Sequence, residues 1–510
     1  MTGVILQAMG AFANPVNSRY DRPPLLSGPA EFAAARRVFQ ANGYSYENLC
    51  ARLGVERLYQ FHAPPPAELF AQPVEDALAV LIRLFCYGLH IRRETVERFL
   101  SVESRAALCA LRLLEADPEA PEMNFAPAIV FPFLDVLAAS DRFCTPAGET
   151  IEVAADAVYP ALFDNTYNFV TRLPETPCEA LLDLGCGGGA AAIRQSRFAR
   201  QVWAADITAR AVYFAEFNSR LNGRDNVETV EGDLYAPVRG LTFDRIVTQP
   251  PYIAAETDKI TYRDGGKDGE QIFRRIVEGL PRFLRPGGTC YALLMATDRE
   301  GEAFEQRIGR WLGESAGEFD IAVVCDVAQD PVEFLRNAQK IAREEKEYRR
   351  ILYRETKTSA VLYGSVAIRR KLEPGPPVVA ARAFAGKTLS GNDLDFLLKW
   401  TAAVAAPGGT EMLWNARPAL GAHCELVVHH RVRNGKLAAE DFELRTAGPF
   451  ASRGRTPAWA AEIVAECDGT RTWGERCEKR QAEGGIPPGV TRDEFTRMLA
   501  ILVSTGVLKV

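Results

Sequence analysis

The chain has 510 residues, 47% of them hydrophobic and 25% charged, with a formal net charge of −6. That length exceeds what one hydrophobic core usually serves, so several domains are expected. The acidic balance argues against broad electrostatic capture of nucleic acid. The eleven cysteines are scattered singly, with no Cys-x-x-Cys, which fits reduced thiols in a cytoplasmic protein and neither a disulfide framework nor a zinc site.

Residues 1–30 carry Pro, Gly and Asn and form an irregular lead-in. They lack the basic region and long apolar core of a signal peptide. From 31 to 115 the pattern is helical: "EFAAARRVFQANG" and "VEDALAVLIRLFCYG" have apolar residues at helical spacing and end at Gly. The apolar run 76–91 is too short to span a membrane and contains Arg83, so a buried helix is expected and no membrane partner. "PAIVFPFLDVLAASDRF" (127–143) predicts two short strands. Helices followed by a hairpin predict a mainly helical, winged-helix-like domain over 1–150, for substrate recognition or dimerisation.

Between 151 and 372 strands alternate with helices. Strands are predicted at 180–185, 201–206, 226–232, 243–249, 289–296, 319–327 and 359–371, giving a doubly wound, mostly parallel sheet. Residues 336–371 hold eleven Lys/Arg mixed with glutamates, which reads as a solvated helix with i,i+4 pairs. A Pro/Gly linker, "LEPGPPVVA" (372–380), opens an α+β domain over 373–510. Its end, a helix, a loop, a helix and a short strand, is again winged-helix-like. His429 and His430 are adjacent, so on a strand they would face opposite sides, and no metal site is expected.

"LLDLGCGGGAA" (181–191) stands where a first strand turns into a helix. Gly185, Gly187 and Gly189 let the backbone approach a ligand closely. Asp183 precedes the turn, and Asp206, followed by Ile207, closes the next strand where an acid can meet ribose hydroxyls. The loop alone also satisfies a relaxed dinucleotide fingerprint, which leaves a nicotinamide-dependent oxidoreductase open. Cys186, inside the loop, is small enough for the tight turn and reads as packing. "VEGDLYAP" adds Asp233 and Leu234 at the end of the third strand. After the fourth strand comes Gln249-Pro250-Pro251-Tyr252, at the carboxyl edge where open α/β sheets bind ligands. Its prolines carry no N–H, which leaves carbonyls free to face a cleft.

These residues together resemble the class I S-adenosylmethionine-dependent methyltransferases. "TYRDGGKDGEQIFRRIVEGLPRFLRPGG" (261–288) is similar to the glutamine N5-methyltransferases, so the resemblance spans roughly 150–370. It implies a Rossmann-like, seven-stranded sheet flanked by helical or winged-helix-like domains. It implies S-adenosyl-L-methionine as cofactor, with Asp183, Gly185, Cys186 and Gly187 at its amino-acid end, Asp206 and Ile207 at the ribose, and Asp233 and Leu234 at adenine. Gln249, Pro250, Pro251 and Tyr252 would be the catalytic residues that orient the methyl acceptor, Gln249 also touching the cofactor, with Arg263, Asp264, Gly265 and Gly266 on the rim. The segment 159–169 would cap the cofactor.

The implied activity is transfer of a methyl group to an amide or amine nitrogen of a peptide, protein, RNA or specialised metabolite, and the implied partners are that acceptor and a second copy of the chain in a homodimer. O-methylation of a small molecule and a regulator that has lost catalysis are the alternatives, besides the oxidoreductase, which leaves the Pro-Pro-Tyr corner and Asp233 unexplained. The family's usual residue at 249 is Asn; Gln adds one methylene.

Overall fold

The structure, a computed structural model, describes residues 22–60, 73–143, 154–256, 260–338, 341–373 and 381–510. The lead-in up to residue 21, the boundary expected at 150 and linker residues 374–380 lie outside the described residues. The chain forms two compact units, one of 1–171, 175–296 and 330–358, the other of 172–174, 297–329 and 359–510.

The first unit begins with helices α1 (Pro29–Ala41), α2 (Tyr46–Leu53), α3 (Ala77–Leu81), α4 (Arg93–Phe99) and α5 (Val102–Ala110). The helix expected across 76–91 changes character after Leu81, where Ile82–Cys86 is a π turn. Two carbonyls there are taken up by Arg142, whose guanidinium donates to Leu84 O at 2.7 Å and Phe85 O at 3.2 Å. Short strands β1 (Ile91–Arg92), β2 (Glu115–Ala116) and β3 (Met123–Phe125) pair in the order β1-β3-β2. The two strands expected at 127–143 are present as an antiparallel hairpin, β4 (Ile129–Phe133) and β5 (Val136–Ser140).

After α6 (Asp164–Thr171) come the strands that carry the site: β6 (Cys178–Leu184), β7 (Ala199–Asp206), β8 (Val227–Glu231), β9 (Phe243–Thr248) and β10 (Leu284–Arg299). Within this unit they pair in parallel in the order β10-β9-β6-β7-β8. β6 from Ala180 on and most of β9 are buried, because both faces of such a sheet are covered by helices. The helices are α7 (Ala190–Gln195), α8 (Ala209–Asn222) and α9 (Gln271–Phe283). α9 buries Phe273, Ile276, Val277, Leu280 and Phe283, one stripe at helical spacing. This is the Rossmann-like arrangement the alternation predicts. Strand order reverses at β6, so the loops after β6 and β9 open into one crevice.

The amino-terminal helices pack on this sheet's own helix α8. Phe32, Phe39, Leu49 and Phe85 share one core with Phe214, Phe217 and Leu221, and the rings of Phe32 and Phe217 meet edge to face at 5.2 Å. Burial of each such side chain contributes roughly 1.5–3 kcal/mol. Two further helices, α10 (Pro331–Asn337) and α11 (Arg343–Glu355), also belong to this unit.

In the second unit Phe319–Gln329 pairs antiparallel with 361–370 and parallel with Ala381–Ala385. Ala381–Ala385 leads on to Phe450–Thr456, Lys436–Ala447 and Cys424–Arg433, all antiparallel. The register of the last pair shifts between His429 and His430. The strict alternation expected of adjacent histidines is therefore broken by a bulge, and both side chains are exposed. Helices Ala458–Ala465, Trp473–Ala482 and Arg492–Ser504 close a core around Trp473, Phe495 and Leu499. Thr472/Glu475 and Thr491/Glu494 form capping boxes at two of their starts.

Candidate functional site

The glycine loop follows from the hydrogen bonds that its turn leaves to be made. Gly185 and Cys186 both donate to Ala205 O, at 2.9 and 3.1 Å. Gly185 and Gly187 have φ of 68° and 53°, and no atom lies within 4 Å of where a Cβ would stand on either. Gly189 differs: it starts α7 at φ 77°, and a Cβ there would meet Ala215 Cβ at 3.1 Å. The first two glycines thus keep backbone open to a ligand, and the third permits close helix packing.

Twelve of the residues singled out by the sequence line one cavity of about 420 Å³, Asp183, Gly185, Cys186, Gly187, Asp206, Ile207, Asp233, Leu234, Gln249, Pro250, Pro251 and Tyr252; Arg263 and Asp264 line it too, whereas Gly189, Gly265 and Gly266 do not. Asp183 is 2% exposed and accepts from Ala192 N–H at 3.0 Å. Burial raises its pKa to about 7, with a smaller push from Asp206 and an opposing pull from the Ala192 N–H. Asp206 Oδ2 accepts from Gly187 N–H at 2.9 Å, while Oδ1 accepts from Thr208 N–H and its hydroxyl at 3.0 and 3.2 Å. One lone pair on Oδ2 stays available for a hydroxyl donor. Burial drives the Cys186 thiol well above its usual range, which makes it a packing residue and a poor nucleophile.

Asp233 is held by Arg275 at 2.6 Å, with both side chains about half exposed. No local pattern points to this partner, which lies 42 positions away. Also unforeseen is the wall supplied by the amino-terminal hairpin. Ala138, Ala139 and Ser140 face the same cavity. β5 is held there by two asparagines one turn apart on α8. Asn218 exchanges hydrogen bonds with Ala139 N–H and O at 2.7 and 2.9 Å, and Asn222 does so with Leu137 at 2.8 Å each. The side-chain amides thus take the place of a neighbouring strand. Asn218 also donates to Gly188 O at 2.8 Å, which ties hairpin to glycine loop. Asp141, 5% exposed, adds a bidentate pair with Arg210 at 2.6 and 2.8 Å.

On the opposite side the Pro-Pro-Tyr corner is backed by the 263–269 loop. Ile253 N–H donates to Arg263 O at 3.0 Å, Gly265 N–H to Ile253 O at 2.8 Å, and Ala255 N–H to Gly266 O at 3.1 Å. A Cβ on Gly265 would lie 2.6 Å from Pro251 O, and one on Gly269 2.6 Å from Tyr252 O, so both glycines are required by contact with the corner's backbone. Tyr159 and Tyr262 line the cavity beside the corner, their rings 5.1 Å apart, and Tyr159 stacks on Phe163 at 4.7 Å. Burial raises both phenols, Tyr262 to about 12. Gln249 Nε2 is buried without a hydrogen-bond partner.

The family model of the methyltransferase small domain matches residues 162–312. A release factor glutamine methyltransferase from Moorella thermoacetica is 30% identical over 220 residues, covering 40% of this chain and 67% of that protein. The chain belongs to the class I S-adenosylmethionine-dependent methyltransferases, in the methyltransferase small-domain family. The methyltransferase is also 28% identical to a ribosomal protein uL3 glutamine methyltransferase of Bradyrhizobium diazoefficiens, over 49% of this chain and 83% of that one. A release factor glutamine methyltransferase of Xylella fastidiosa is 37% identical, but there the match spans 23% of this chain and about half, 47%, of the relative. The residues present fit S-adenosylmethionine: two open glycines, a strand-two carboxylate with a free lone pair and a buried acid beside them. Among the described residues no cluster of metal-ligating side chains occurs and no helix is long and apolar enough to cross a membrane.

Proposed function

We propose that this methyltransferase transfers a methyl group from S-adenosylmethionine to the amide nitrogen of a glutamine in a protein. The bound cofactor would supply an electrophilic methyl on a sulfonium sulfur, so that the acceptor nitrogen bonds to that carbon as S-adenosylhomocysteine leaves, and the nitrogen gives up one proton to solvent. The chain's own work is alignment and electrostatics. Asp206 and Ile207 hold the ribose end, Asp183 with the 185–187 loop the amino-acid end, and Asp233 with Leu234 the adenine end, within reach of Arg275. Tyr159 and its segment cap the cofactor, and Tyr252 offers a flat face to the planar acceptor.

The observation that carries the reading is the Gln249 amide on the cavity wall with its Nε2 unpartnered. A primary amide presents one acceptor and two donors. An acceptor amide matches both: its NH₂ donates to the Gln249 oxygen while its carbonyl accepts from Nε2. An amine offers no such oxygen. The relatives named above, which act on a release factor or on ribosomal protein uL3, point to protein glutamine as well. We also propose a seven-stranded catalytic sheet, winged-helix-like ends that recognise substrate or form a dimer, and a cytoplasmic location.

Calorimetry with S-adenosylhomocysteine and, separately, NADH tests the cofactor; binding of NADH alone overturns the reading. Incubation with S-adenosylmethionine and either purified release factor or purified uL3, followed by peptide mass spectrometry, tests the acceptor. The expected product is one added methyl group on a glutamine. A methyl found instead on a hydroxyl or an amine removes the amide assignment.

A further inference from the structure

Helices α10 and α11 sit in the chain between Phe319–Gln329 and Thr358–Arg370, two strands that pair antiparallel with each other. A tight hairpin would be enough to join such strands. Here the connection leaves them, and residues 330–358 belong to the unit that carries the cleft. The sequence reads this stretch as a solvated helix with internal ion pairs. Part of α11 is not solvated: Arg349 is 2% exposed and Tyr353 is buried.

The segment reaches the Pro-Pro-Tyr corner in three ways. Ile253, Ala338 and Ile341 form a small buried cluster with Tyr252 packed on it. The Tyr348 hydroxyl donates to Lys267 O at 2.7 Å. Glu345 Oε1 accepts from both Arg263 Nη2 and Arg349 Nη2. Arg263 lines the cavity. Its Nε makes no hydrogen bond and is ion-paired with Asp264 Oδ1 at 3.6 Å. Two cationic side chains on one carboxylate, itself 18% exposed, form a fixed group. A guanidinium held at one end in this way presents its remaining donors in a set direction.

We infer that the 331–355 segment is the acceptor-side specificity element of the methyltransferase. Glu345 is its positioning residue, holding Arg263 on the cleft wall with Nε turned to a carbonyl-type oxygen of the acceptor. The inference rests on the amide reading for the acceptor's chemistry. The bracing of the corner by α11 does not depend on that reading. Arg263 and Gln249 both line the cavity, each with a buried donor nitrogen that makes no hydrogen bond, and on the inference the acceptor supplies an oxygen to each, as a glutamine side chain and its neighbouring peptide carbonyl do. Glu345 touches neither reactant and acts through Arg263.

The test uses the full chain, with S-adenosylhomocysteine and with purified release factor as the acceptor probe. Turnover of the probe by the unaltered enzyme tests the proposed function alone. Glu345→Gln is expected to keep S-adenosylhomocysteine affinity within about twofold and to raise KM for the probe about tenfold, with kcat changed far less, the signature of lost ground-state positioning. Glu345→Asp restores part of the KM. Amide hydrogen exchange in 250–256 and 260–269 is expected to rise in Glu345→Gln with S-adenosylhomocysteine bound, while the β6–β8 strands stay protected. A fall in kcat at unchanged KM, or cofactor affinity lost in step, overturns the inference. If release factor is not a substrate, exchange alone decides, and unchanged exchange in 250–256 and 260–269 overturns it.

Discussion

Asp183 and Gln249 put opposite demands on the cavity wall. Asp183 has its folded pKa raised from 3.8 to about 7 by burial. Between those values the folded chain binds more protons at this site than the unfolded chain does. Its contribution to stability is therefore largest at low pH, falls as pH rises from about 4 to about 7, and is level above that. Chemical denaturation across this range should show that fall, and Asp183→Asn should remove it. A cationic cofactor end against Asp183 favours the carboxylate, so affinity for S-adenosylmethionine should rise with pH up to about 7 and then flatten. Titration calorimetry at several pH values reads this directly. For Gln249→Ala the expected result is unchanged S-adenosylhomocysteine binding and a kcat lowered about a hundredfold, in line with losing one oriented polar group at a reacting centre. Asp206→Ala should do the reverse in binding, weakening S-adenosylhomocysteine tenfold or more, by about 1.4 kcal/mol.

Loops and helix faces explain what sequence patterns reveal and what they hide. Gly185 and Gly187 were legible because a left-handed turn after a buried strand has few residue choices. Gly187→Ala should cost about 1–2 kcal/mol in backbone strain and place a methyl in the cavity, lowering cofactor affinity with little change in secondary structure by circular dichroism. The corner was legible for a similar reason, since two prolines leave few conformations. By contrast Asn218 and Asn222 looked like ordinary polar residues of an amphipathic helix. Their role depends on which backbone they meet, 79 and 85 positions away, and no local pattern encodes that. Asn218→Ala leaves the buried Ala139 N–H and O unpaired, so a loss of about 2 kcal/mol or more is expected, together with weaker S-adenosylhomocysteine binding. Arg275 beside Asp233 and Glu345 beside Arg263 escaped notice on the same grounds: each pair joins segments far apart in sequence. The π turn at Ile82–Cys86 was hidden as well, because its apolar residues keep helical spacing while Arg142 supplies the donors that permit it.

At the level of the molecule, the strand positions followed the hydrophobic runs because buried parallel strands need apolar residues on both faces. In the second unit Trp473 is fully buried and its Nε1–H donates to Phe495 O at 2.9 Å, so it belongs to the core. Trp473→Ala should destabilise that unit by about 3–5 kcal/mol, measured by the midpoint of urea unfolding. The hairpin that walls the cofactor cavity has a different bearing. On the ribosome a chain emerges from its amino terminus, and its parts fold as they appear. β5 leaves the tunnel long before α8, whose Asn218 and Asn222 hold its edge. Until residue 222 is out, that edge is an open template for any passing strand. The newborn enzyme is thus at its most vulnerable to mispairing before its cofactor pocket exists, and closure of the pocket is the event that ends the exposure.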